Sequence, residues 1–258
     1  MIFIQPSIDP IIFSLGILEV RWYSLSYIIA FIAGSILIKK INKSSYNLIS
    51  DKQIDNFFIW SVIGVITGGR IGYVIFYQTD LFISYPLYIF QIWKGGMSFH
   101  GGLLGIIIST YFYCKKYNLS FFYLSDLIAI VAPIGLFFGR IANFINTELY
   151  GRVTDFKLAI IYPTIDEKPR HPSQLYEAFF EGLILFIVLL LYFIKNKKKY
   201  NVGNISAFFL ILYSFFRFLI EYLREPDSQL GLYFHHLSMG QILCIPLIVF
   251  GILIYYRK

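Results

Sequence analysis

Seven stretches of this chain are apolar over about the length that crosses a bilayer, at residues 20–38, 57–77, 98–114, 122–145, 174–194, 204–223 and 238–256. A hydrocarbon core about 30 Å thick needs roughly 20 mostly apolar residues per helix. No water reaches that layer, so backbone groups there must pair internally, and a run of this kind folds as a helix. The pattern predicts an all-α polytopic membrane protein with seven transmembrane helices. Composition agrees: 57% of residues are hydrophobic and 14% charged, where a soluble domain carries about a quarter charged.

Lysine sets the expected orientation. Lys39, Lys40, Lys43 and Lys52 share one connection, Lys115 and Lys116 the next alternate one, and Lys195, Lys197, Lys198 and Lys199 a third. Seven spans put all of these on one side, with Arg257 and Lys258. The positive-inside rule makes that side cytoplasmic and places the N-terminus outside. The net charge of +7 is therefore a topology signal and gives no reason to expect nucleic acid.

No repeat or soluble domain interrupts the spans, so residues 1–258 read as one integral-membrane domain. The longest polar connection, 146–173, forms a small extracytoplasmic insertion or head. Its alternating "KLAIIYPT" suggests a short β-element. The start, "MIFIQPSIDPIIFSLG", lacks a basic n-region and does not read as a cleaved signal. Cys114 and Cys244 read as small core residues.

Arginine is distributed differently. Of the eight, only Arg257 falls in the cytoplasmic set; Arg21, Arg70, Arg140, Arg152, Arg170, Arg217 and Arg224 lie in spans or on the other side. By depth, Tyr23, Arg70, His100, Arg140, Asn143, Glu177, Glu181, Arg217, Glu221 and Arg224 all fall toward the outer leaflet. The expectation is that every strongly polar intramembrane residue lies there. One arginine at a helix centre costs about 2.5–3.5 kcal/mol, and such residues normally face a bundle interior and pair with acids. Glu148 and Glu221 are the expected partners. Arg217 and Glu221, four apart, share a helix face, with Tyr213 a turn earlier. Glu177 and Glu181 are also compatible with a watery vestibule. "ITGGRIGY" (66–73) and "KGGMSFHGGLLG" (94–105) are compatible with close helix packing. Gly101 and Gly102, directly after His100, also suit approach of a substrate.

Several guanidiniums at one leaflet point to an anion, and the anion abundant there is lipid phosphate, which arginine grips bidentately. The sequence has no Walker loop, no acidic cluster of the kind that holds magnesium and no nucleophile elbow. An already activated lipid fits better than ATP as the donor.

The motifs then resemble one family. "GRIANFINTELYG" (139–151) is similar to the signature of the prolipoprotein diacylglyceryl transferases, a run of the form G-R-x-x-N-F-x-N-x-E-x-x-G. "RWYSLSY" (21–27), "FHGGLLG" (99–105), "HPSQLYEA" (171–178), "YSFFRFLIEYLREPD" (213–227) and "SMGQIL" (238–243) follow in the family's order. Ala142 and Thr147 stand where many members have Gly.

The resemblance implies transfer of the diacylglyceryl group of phosphatidylglycerol to the lipobox cysteine of prolipoproteins. A thioether forms and glycerol phosphate leaves, at the outer face of the bacterial cytoplasmic (inner) membrane, among membrane lipids and without metal or soluble cofactor. Ionising the substrate thiol at pH 7 costs roughly 2 kcal/mol, and His100 is the candidate base. Arg140 and Arg217 are candidates to stabilise the departing phosphate. Asn143 and Asn146 add donors, and Glu148 and Glu221 orient the arginines. Tyr23 and Tyr213 position the headgroup or peptide, Arg70 supports the headgroup pocket, and Gly151 lets the loop turn closely. An anion-binding membrane transporter is the alternative.

Overall fold

The computed structural model describes residues 3–15, 18–199, 201–226, 233 and 237–257, without the side chains of Leu15, Leu18, Phe99, His100 and Lys198. The chain is mostly helical, with an apolar helix at each of the seven expected stretches. Among the described residues, four helical runs are long and apolar enough to cross a membrane: α1 (Trp22–Ser44), α2 (Asp51–Tyr77), α5 (Phe121–Ile145) and the continuous stretch Ser173–Asn196. Large apolar side chains point outward, among them Ile36 (64% exposed), Ile63 (60%) and Leu253 (61%). That suits a lipid-facing surface and would be costly in water.

The chain forms two compact units. Residues 38–125 make one. There α2 opens on a capping box, Ser50 Oγ accepting from Gln53 N and Gln53 Oε1 accepting from Ser50 N. α3 (Thr79–Ser84) and two 3₁₀ turns, Pro86–Phe90 and Ile92–Lys94, lead to α4 (Phe99–Tyr117). α2 packs on α4 through small residues. A Cβ on Gly68 would lie 2.8 Å from Gly105 Cα, and one on Gly72 2.8 Å from Gly101 Cα. Gly101 therefore serves helix contact, the close-packing role of small residues in membranes. Gly102 meets only Val65, at ordinary distance.

The second unit comprises residues 1–37 and 126–258. It contains the hairpin β2 (Ile11–Leu15) and β3 (Leu18–Arg21). It also holds a small sheet in which β1 (Phe3–Ile4) pairs in parallel with β4 (Ile160–Ile161), and β4 antiparallel with β5 (Pro169–Arg170). β4 lies within the predicted β-element; the hairpin and β1 add strand where an all-α chain was expected. α6 (Ser173–Glu177) passes through a π-helical segment, Ala178–Ile184, into α7 (Leu185–Asn196). α8 (Asn204–Ile220) and α9 (Met239–Tyr255) follow and pack together. At Gly182 the π segment meets α5, where a Cβ would lie 2.7 Å from Phe137 Cβ.

One buried carboxylate departs from the expected distribution. Asp126, near the start of α5, is fully buried. It accepts from Gly203 N (2.7 Å), Ser206 N (2.8 Å) and Ser206 Oγ (2.7 Å). These are donors that the first turn of α8 would otherwise leave unpaired, so Asp126 caps one helix from another. It lies at the opposite end of α5 from Arg140. Buried acids are therefore not gathered at one end of α5.

Candidate active site

Near its C-terminal end α5 carries Arg140 and, one turn on, Asn143. Each belongs to a different polar cluster in the second unit. Arg140 Nε lies 3.1 Å from Glu177 Oε2, and its Nη2 lies 3.4 Å from Glu181 Oε2. Glu177 also bonds Arg217, which reaches Glu221 at 2.6 Å across one turn of α8. Arg224 stands 3.7 Å from Glu177 and 4.0 Å from Glu221. Among the described residues, three arginines thus share three glutamates, and Glu177 and Glu181 are wholly buried. Burial presses the Arg224 guanidinium, beyond the end of α8, below its ordinary range, while Glu177 and Glu221 oppose that shift.

Local structure explains how one short segment delivers two acids. Glu177 ends α6 and Glu181 sits inside the π segment, four residues later. A π turn holds an extra residue and is frequent at functional sites. Sequence reasoning left both glutamates outside the site, open to a vestibule reading. The structure makes both of them counter-ions of Arg140, and Glu177 a counter-ion of Arg217 as well. Their spacing on one helix face was the available signal, but spacing alone does not reveal what faces it.

α9 supports the same cluster. Ser238 Oγ donates to Glu221 Oε1 at 2.9 Å and accepts from Gln241 N, closing a capping box. Gln241 Nε2 donates to Phe218 O (3.2 Å). Glu221 Oε1 would lie 3.1 Å from a Cβ on Gly240. The "SMGQIL" run is thus a bracket for Glu221.

The other cluster gathers on Glu148. Tyr23 donates from its hydroxyl to Glu148 Oε2 (3.0 Å), and Asn143 Nδ2 donates to the same oxygen (3.1 Å) and to the Tyr23 hydroxyl. Asn146 Nδ2 reaches Glu148 Oε1 at 3.5 Å. Among the described residues, no arginine pairs with Glu148. The expectation that Glu148 orients the arginines is corrected: it orients Tyr23 and the two amides. The turn carrying it is pinned by Gln174 Nε2 on Glu148 O (2.7 Å) and Ser173 Oγ on Leu149 O (2.7 Å).

Gly151 is squeezed where the chain passes between residues 171 and 223. A Cβ there would strike His171 O and Cβ and lie 2.7 Å from Leu223 O, so only glycine fits. Nearby, burial lowers the His171 imidazole from its usual range. Tyr213, a turn before Arg217, stacks on Phe209 with centroids 5.8 Å apart.

Arg70 belongs to the other unit and has a different task. Its guanidinium donates to Tyr88 O (2.7 Å), Ile89 O (3.1 Å), Gly95 O and Gly96 O (3.4 Å) and lies 4.6 Å from the Tyr88 ring centre. It organises the 88–96 loop instead of presenting a free fork to a headgroup. His100 is the second residue of α4, with its side chain outside the described residues.

A helical membrane protein with buried arginines held by glutamates, beside a Tyr–Asn–Glu cluster, is the class these features define. A family model described as prolipoprotein diacylglyceryl transferase matches residues 10–257. The chain belongs to this transferase family. It is 50% identical over 246 residues to the phosphatidylglycerol–prolipoprotein diacylglyceryl transferase of Rickettsia felis, covering 95% of each chain. It is also 50% identical over 247 residues to the Rickettsia bellii protein of the same name, covering 96% of this chain and 94% of that one. The Rickettsia akari protein is 49% identical over 246 residues, 95% of each chain.

Proposed function

We propose that this protein transfers the diacylglyceryl group of phosphatidylglycerol to the lipobox cysteine of prolipoproteins, as the first step of lipoprotein maturation. The observation that carries the site is the pair Arg140 and Arg217, joined through Glu177 in a buried setting. Paired and hydrogen-bonded charge is the form in which guanidiniums persist in an apolar interior. It is also preorganised for a phosphate, because held dipoles and charges need not reorient as charge develops.

In this reading the substrate sulfur attacks the glyceryl carbon. A carbon–sulfur bond forms, the carbon–oxygen bond to phosphate breaks, and glycerol phosphate departs with the electron pair. Arg140 and Arg217 bind that phosphate, with Glu177 and Glu221 fixing their orientation. Tyr23, Asn143, Asn146 and Glu148 position the headgroup or the peptide, and Tyr213 lines the approach. His100 is the proposed acceptor of the thiol proton. Gly151 is a backbone requirement of the head. The proposed topology is seven spans in the bacterial inner membrane as one membrane domain, N-terminus outside and C-terminus cytoplasmic. The arginine cluster opens to the extracytoplasmic side, beneath a small head at 146–173.

Purified protein given phosphatidylglycerol and a lipobox peptide is expected to release glycerol phosphate, and Arg140→Ala to lose that release. Solute flux without lipid consumption would instead identify an anion transporter. Labelling of single cysteines from the two membrane faces tests the topology. Reaction of a position in 146–173 only from the cytoplasmic face would overturn it.

A further inference from the structure

Glu181 is the least supported acid of the arginine cluster. Glu177 meets Arg140, Arg217 and Arg224, and Glu221 has Arg217 at 2.6 Å and the Ser238 hydroxyl at 2.9 Å. Glu181 has Arg140 at 3.4 Å and Arg217 at 3.9 Å, both longer. Its Oε1, like Glu177 Oε2 and Glu221 Oε2, is buried with no hydrogen-bond partner among the described residues, but those two oxygens have an arginine nitrogen at 3.1 and 2.6 Å, against 3.9 Å for Glu181 Oε1. Glu177, a like charge, sits four residues away on the same helical run. The titratable groups facing Glu181 are Arg140 of α5, Glu177 of α6, Tyr213 and Arg217 of α8 and Cys244 of α9.

These neighbours set a charge problem for an anionic ligand. Arg140, Arg217 and Arg224 contribute three positive charges, and Glu177, Glu181 and Glu221 cancel them before any lipid arrives. A phosphodiester headgroup adds one negative charge to this buried setting. Uncompensated charge there is disfavoured, and the usual relief is a change of protonation at the weakest-held group. We infer that Glu181 takes up one proton as the phosphodiester binds, leaving Arg140 free to turn its fork from Glu181 to the phosphate. Glu181 is thus a positioning residue that matches the charge of the site to its lipid. This rests on the cluster being the headgroup site.

The test measures proton uptake, with a pH indicator, when dihexanoyl phosphatidylglycerol binds the full-length protein in detergent without peptide. Above the titration point about one proton per lipid is expected for wild type and near none for Glu181→Gln. In turnover at saturating peptide, the wild-type KM for the lipid should rise about tenfold per pH unit above the titration point, as for one linked proton. In Glu181→Gln that KM should stay flat, and Glu177→Gln should raise it at every pH. Should Glu181→Gln fail to fold, Glu181→Asp serves, its shorter acid keeping the uptake but moving its pH midpoint; an unmoved midpoint overturns the inference. Binding without proton uptake, still weakened by Arg217→Lys, overturns the role of Glu181 and leaves the headgroup site standing. If Arg217→Lys leaves lipid binding unchanged, the site itself falls and the inference with it.

Discussion

Ser238 donates its hydroxyl hydrogen to Glu221 at 2.9 Å, and the same oxygen caps α9 by accepting from Gln241 N. One side chain therefore anchors a helix end and an acid of the arginine cluster. Ser238→Ala removes both. Loss of an N-cap costs about 0.5–2 kcal/mol, and Glu221 becomes free to drift from Arg217. The expected outcome is a lower unfolding temperature in detergent together with roughly tenfold lower kcat/KM for lipid, about 1.4 kcal/mol in the transition state. Ser238→Thr keeps the hydroxyl and should recover most of both.

Arg70→Lys separates scaffold from site. The wild-type guanidinium fans over main-chain oxygens of residues 88, 89, 95 and 96. A lysine is a compact charge that cannot reproduce a planar fork. These carbonyls are only partly buried, so each one left unpaired costs at most about 1–3 kcal/mol, the figure for a fully buried acceptor. Limited proteolysis should show faster cutting within 85–97, and the KM for phosphatidylglycerol should change less than it does in Arg217→Lys.

The head offers a pH-dependent contact whose sign follows from the structure. Arg170 bonds Asp166 at 2.7 Å, and this hydrogen bonding holds the half-buried Asp166 carboxyl below its usual range. A depressed folded value means that the contribution is present above the unfolded value, about pH 4. It is lost as pH falls through the lower folded value. Amide exchange at Ile160, Ile161 and Arg170 should be faster in Asp166→Asn than in wild type at neutral pH, and the two should converge as pH falls through the lowered folded value of Asp166. Equal exchange at pH 7 would mean the pair does not brace the sheet.

Much of this was legible from residue order, for physical reasons. Spans announce themselves because every residue of a long apolar run obeys the same constraint. Arg217 and Glu221 announced their pairing because helix periodicity puts residues four apart on one face. Arg140 with Glu177 and Glu181 was hidden because those contacts join separate helices. Glu148 was misassigned for the same reason: a nearby acid was matched to a nearby arginine, whereas Tyr23 reaches it from α1. Backbone conformation was also hidden. Thr147 has φ +57°, a left-handed position costly for a β-branched residue.

The two polar clusters should also be separable energetically. Glu221 touches Arg217, whereas Glu148 holds Tyr23 and Asn143. Residues in one ion-pair network couple by about 0.5–3 kcal/mol, and residues without shared partners add within about 0.5 kcal/mol. In a double-mutant cycle on detergent unfolding, Glu221→Gln with Arg217→Lys should therefore be strongly non-additive. Glu148→Gln with Arg217→Lys should be additive, because Glu148 is not a partner of that arginine. Stability is the better readout, since both clusters would meet one substrate during turnover and so couple through it. Strong coupling of Glu148 to Arg217 in the unliganded protein would restore Glu148 as a counter-ion and merge the two clusters into one.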